Sequence, residues 1–141
     1  MKKLLNTAFF YAILGLAGGV FYREFTKLNG VAGGTSLAFL HLHLLVMGMF
    51  FFLVAALLEG NLHFMADRRF PIFFTIYHVG MALTIGTFLW RGILQVLGSA
   101  ISDGINGAIS GIAGIGHILV GTGLILFILM VRKAAAKREK D

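Results

Sequence analysis

Cysteine is absent from this sequence, which rules out disulfides, iron–sulfur ligation and thiolate metal sites, and leaves histidine and methionine as the soft ligands. Acidic residues number 6 against 12 Lys and Arg. Glu24, Glu59 and Asp103 all fall at the ends of apolar runs or in loops, so a transporter driven by protons through a mid-membrane carboxylate is not expected. Charge of either sign is scarce, 13% of residues, and 58% of the 141 side chains are hydrophobic, with a mean hydropathy of +0.90. A soluble domain needs a polar surface that this composition cannot supply. The net charge of +6 could suggest a nucleic-acid partner, but five of the basic residues crowd into the tail Arg132–Lys140, a pattern that first of all orients a membrane protein.

What is present is a set of four long apolar runs, read as spans of about 4–22, 36–58, 71–90 and 107–131 in one domain covering 1–141. Each is long enough for about 30 Å of hydrocarbon. The first, MKKLLNTAFFYAILGLAGG, has the layout of a secretory signal peptide; we read it as span one, with Gly15 and Gly19 as a small-xxx-small packing pair. Pro71, the single proline, stands where a helix tolerates one, in the first turn. Trp90 and Arg91 close span three at the interface. Gly92–Gly107, with Gln95, Ser99, Ser102, Asp103 and Asn106, is expected as an amphipathic segment or loop on the membrane surface. Nine Lys and Arg flank the N-terminus, the second loop and the tail, against Arg23, Lys27 and Arg91 on the other side. With the four runs, that asymmetry predicts an all-α four-helix transmembrane bundle with both termini in the cytoplasm.

Into these spans the sequence places His41 and His43 (second), His78 (third) and His117 (fourth). Imidazole in hydrocarbon is a functional signal by default. His63 lies in a loop and is expected to be solvated. Residues two apart on a helix differ by about 200°, so His41 and His43 face opposite ways and cannot chelate one small ion. His43 shares its face with Phe39, Leu40, Met47 and Phe50, and His41 with Leu37, Ala38, Leu45 and Gly48. His117 has Ser110, Gly114 and Gly121 on its own face, where a flat ring could lie, and His78 has Thr75, Met81 and Ala82.

Several imidazoles from different helices, with no carboxylate beside them, fit haem b held by two histidines. Arg23, Lys27 and Arg91 at the outer rim could then neutralise the propionates. Six-coordinate iron offers no open position, which points away from an enzyme and towards electron transfer or haem or gas sensing. Two other readings compete. One is a copper(I) site or carrier, with His43/Met47 and His78/Met81 each sharing a face as an N₂S₂ set. The other is a cofactor-free structural protein whose histidines bond between helices.

The H-x-H in LHLHLLVMGMFFF resembles the histidine helix of the haem–copper oxygen reductase core subunit, where two histidines two apart ligate different haems. That subunit is built from three four-helix units whose second helices carry the ligands. The resemblance implies a homotrimer of this chain in which each second helix offers His41 to one neighbour and His43 to another, with a redox partner still to be identified. His78 and His117 have no counterpart in the motif. As a whole, the chain also resembles a family of small bacterial four-span membrane proteins, a domain of unknown function, which implies the topology and no activity.

Overall fold

The computed structural model describes residues 1–140. Four helices long and apolar enough to cross a membrane make up nearly all of it: α1 (Lys2–Leu28), α2 (Leu37–Leu62), α3 (Phe70–Val96) and α4 (Asp103–Arg138). Helix α1 packs on α2, α4 packs along α3, and the later half of α2 reaches α4. The core between them is aromatic at one end, where the Phe51 ring lies nearly parallel to Tyr77 at 4.7 Å and edge-on to Phe127 at 4.9 Å, and Phe73 tilts against Tyr77 and Phe127 at 5.8 and 5.6 Å. Outside the core the helices present apolar side chains to the surroundings, among them Leu57 (72% exposed) and Ile118 (69%), as a lipid-facing surface requires.

Small residues set the helix crossings. A Cβ at Gly15 would lie 2.6 Å from Leu45 and one at Gly18 3.3 Å from Leu40, so α1 beds onto α2. A Cβ at Gly80 would lie 2.7 Å from the Val120 nitrogen and 2.9 Å from the Gly116 oxygen. Helices α3 and α4 therefore touch backbone to backbone, the close approach that small residues permit in membranes.

Two boundaries differ from the sequence reading. Helix α3 runs on past Trp90 and Arg91 to Val96 and α4 begins at Asp103, so the expected surface segment 92–107 shrinks to a turn. Gly92 does not stop α3, because it lies buried against Leu37. The stop comes at Gly98, with φ +60, and Ser102 starts α4 by accepting a hydrogen bond from the Ile105 amide. Gln95, expected in that loop, instead accepts the Ser36 amide at 2.7 Å and caps α2.

Both termini lie at the same end of the bundle as the 63–69 turn. The Met1 amino group reaches Met65 Sδ at 3.7 Å, and Arg138 donates to the Asn61 carbonyl at 3.3 Å. Glu59 accepts the Met65 amide at 2.8 Å, and His63 takes a left-handed conformation (φ 53) as the cap of α2, its side chain exposed as expected. Asp67 joins this turn to α4: Arg69 binds it through Nε and Nη2 at 3.1 and 3.0 Å, and Lys133 at 3.1 Å. The Arg69 side chain first, then the Arg69 amide and Lys133, hold the Asp67 carboxyl well below the usual carboxylate range.

Candidate functional site

Helix α2 is not α-helical throughout. From His43 to Phe50 it winds as a π-helix, a form that turns up often at functional sites. Two buried contacts accompany the wide turns: Gly48 receives the face of the Tyr11 ring, and the Tyr77 hydroxyl donates to the Met47 carbonyl at 2.7 Å. The π stretch begins at His43 itself, so the ring leaves α2 at the point where its backbone changes pitch.

The His43 ring centre lies 6.3 Å from that of His117 on α4, with the two planes at 83°. Phe88 of α3 sits between the helices, 4.7 Å from His43 and 6.3 Å from His117. Each histidine donates Nδ1–H to the carbonyl four residues before it, His43 to Phe39 at 2.9 Å and His117 to Ala113 at 2.7 Å. A carbonyl can only accept, so this bond places the proton on Nδ1 and leaves the Nε2 lone pair for another partner. Such bonds orient imidazoles that serve as ligands.

Space adjoins this pair. A Cβ at Gly114 or Gly121, on either side of His117, would meet nothing within 4 Å. Helix α4 thus carries two glycine rows: Gly116 and Gly123 are consumed by packing against α3, while Gly114 and Gly121 stay open. Above them stands Arg91, whose Nη2 donates to Asn106 Oδ1 at 3.0 Å, to Ser110 Oγ at 2.8 Å and to the Asn106 carbonyl at 3.3 Å. Ser110 is seven residues before His117, so it lies on nearly the same face and about 10 Å along the axis. The Arg91 Nε is buried and has no partner among the described residues.

The other histidines point elsewhere. His41 faces α1, its ring stacked 6.3 Å from Tyr22 and its Cβ beside Gly19; its Nδ1 is buried without a partner among the described residues. His78 donates Nδ1–H to Phe74 at 2.7 Å and is enclosed by Phe74 (4.1 Å), Phe52 (5.2 Å) and Tyr11 (5.6 Å) rather than by Thr75 and Ala82, which are exposed. Phe88 lies ten residues, about 15 Å, further along α3, so His78 belongs to a different group from His43, while Met47 packs against the core cluster that holds Met81. Arg23 pairs with Glu24 at 3.6 Å on α1, next to Tyr22 and on the His41 side of α2, and is largely solvated. Among the described residues no group of three or more His, Asp and Glu gathers around one point.

Sequence reasoning missed Phe88, Tyr77 and Asn106. Only Asn106 left a signal: with Ser110 and His117 it forms one polar stripe at helical spacing along α4.

Residues 1–134 match the family described as "Protein of unknown function (DUF2871)", and the chain belongs to that family. No curated protein and no solved structure matches it.

Proposed function

We propose that this member of a family of unknown function is a haem b protein of the membrane, in which His43 and His117 hold one iron from opposite sides for electron transfer, with haem or gas sensing as the related use of the same centre. The carrying observation is the pairing of two imidazoles from different helices, 6.3 Å apart, each with its Nδ1 committed to a carbonyl. Metal–imidazole bonds of about 2.0–2.1 Å on opposite sides of one ion put the ring centres roughly 6 Å apart. Tetrahedral chelation draws them closer, to roughly 5 Å. The spacing is the one that two imidazoles would need to hold such an iron between them.

The remaining residues fit such a group. Gly114 and Gly121 would leave room beside His117 for a flat macrocycle, and Phe88 packs against the His43 ring. Arg91, bonded to Ser110 two turns before His117 and with an unused buried donor, suits the carboxylates of a haem edge. Bound in this way, iron porphyrin supplies one-electron chemistry. The Phe39 and Ala113 carbonyls fix the tautomers, and the Arg91 charge would raise the potential of such a centre.

If His43 and His117 both held the iron, no position would be left for a substrate, which leans the reading towards a carrier or sensor and away from an enzyme. His41, His78 and Arg23 stay as proposed contacts of further haem, and a homotrimer stays the proposed oligomer, without the contact to a neighbour that the H-x-H resemblance gave His43, which here pairs with His117 of its own chain. The excess of basic residues at the end that holds both termini supports a bacterial inner-membrane protein with both termini cytoplasmic. Absorbance of protein purified in detergent, before and after haemin addition, tests the reading. A Soret band that His43→Ala and His117→Ala each abolish supports it. Colourless protein that retains copper until Met47 is replaced would favour copper(I), and colourless protein without metal would favour the structural role.

A further inference from the structure

At the end of the bundle that holds both termini, a cleft of about 800 Å³ opens between the 61–67 turn and the last turns of α4. Its floor is apolar, formed by Leu62 and by Phe64 and Met130, each 1% exposed. Its rim carries Lys137, Arg138 and Lys140, all exposed. Asp67, the one acid on the lining, is already occupied by Arg69 and Lys133. Among the described residues the three rim cations have no acidic partner, and Arg138 makes one bond, to the Asn61 carbonyl. Helix α4 is 36 residues long, about 54 Å, and outlasts the roughly 30 Å of hydrocarbon. Lys137 stands six residues, about 9 Å, beyond Val131 and the end of the apolar run, which is the depth of the headgroups.

We infer that this cleft binds the headgroup of an anionic phospholipid, the phosphate on Lys137, Arg138 and Lys140 and the first carbons of the acyl chains against the accessible apolar lining at Leu62, Ala134 and Ala136. Basic pockets between helices at a membrane surface have the charge and depth for such headgroups. The greasy floor gives a free phosphate nothing, which is why the lipid is the favoured source. The site is independent of the haem reading, since none of its residues touches His43 or His117.

The test uses the full chain in a neutral detergent and measures melting temperature and native mass against short-chain phosphatidylglycerol, short-chain phosphatidylcholine and inorganic phosphate. Phosphatidylglycerol is expected to bind saturably and raise the melting temperature, with the other two much weaker. The variant K137Q/R138Q/K140Q should bind it at least about tenfold more weakly, while K137R/K140R keeps it. Equal binding of phosphatidylcholine overturns the proposal, as does phosphate binding as well as the lipid, or a folded glutamine variant of unchanged affinity. If the glutamine variant does not fold, the wild-type comparison of the two lipids and phosphate decides alone.

Discussion

Replacing Gly80 by alanine separates packing from everything else in this fold. The added Cβ would lie 2.7 Å from the Val120 nitrogen and 2.9 Å from both the Gly116 oxygen and the Leu119 Cβ. Carbon contacts are comfortable from about 3.5 Å, so α3 and α4 must part by roughly 0.8 Å. Two of the three obstructing atoms are backbone, and no rotamer change can clear them. Overpacking of this kind costs about 1–3 kcal/mol, and the gain in helix propensity returns about 1 kcal/mol at most. A net loss of about 1–2 kcal/mol is expected. Gly86→Ala, on the same helix with nothing within 4 Å of its Cβ, is the matched control and should be neutral or slightly stabilising. Unfolding in detergent, followed by Trp90 fluorescence as sodium dodecyl sulfate is titrated in, reads the difference. If Gly80→Ala unfolds together with Gly86→Ala, the backbone contact of α3 with α4 is not what holds them. Because Phe88 rides on α3 and His117 on α4, the same variant should also loosen the aromatic cover of the histidine pair.

Three further outcomes follow from named contacts. Tyr77→Phe strips the Met47 carbonyl of its donor, which should cost about 1 kcal/mol and speed hydrogen exchange in residues 47–52; unchanged exchange there would dissociate Tyr77 from the π stretch. Asp67 has a folded pKa below its unfolded value near about 3.9, so its contribution to stability is complete above that value and is lost as pH falls through and below it. Asp67→Asn should therefore melt earlier than wild type at neutral pH and converge on it in acid, and a gap that stays constant with pH would refute the linkage. Arg91→Gln should lower the midpoint potential of the haem-loaded protein in a redox titration, because it removes a positive charge from the carboxylate end; an unchanged potential would place the carboxylates elsewhere.

The topology was legible because four runs of about 20 apolar residues admit few other arrangements, and Pro71 falls in the first turn of α3 as its chemistry demands. The small-xxx-small rule found the bed of α1 at Gly15, yet the stronger crossing at Gly80 and Gly116 was hidden, because each helix contributes one glycine and no spacing within either helix shows the match. Gly114 and Gly121 beside His117 were visible, but whether they pack or stay open depends on the rotation of α4 about its axis. The true ends of α3 and α4 were obscured by Gly92, which looks like a breaker until its burial against Leu37 is seen. The facing of His41 and His43 follows from helical rotation alone. That His43 meets His117 depends on the distance between α2 and α4, and the π turns from His43 to Phe50 leave no periodic mark in a run that is apolar on every side.

The most direct measurement is electron paramagnetic resonance and optical absorbance of haemin-reconstituted protein across the four alanine variants at 41, 43, 78 and 117. Wild type should give a six-coordinate, low-spin ferric spectrum. Its signal should be strongly anisotropic, because imidazole planes at 83° leave the iron orbitals nearly degenerate. His43→Ala and His117→Ala should each abolish that signal while His41→Ala and His78→Ala keep it. No Soret band in wild type, or a low-spin signal that survives the loss of either His43 or His117, would contradict the account.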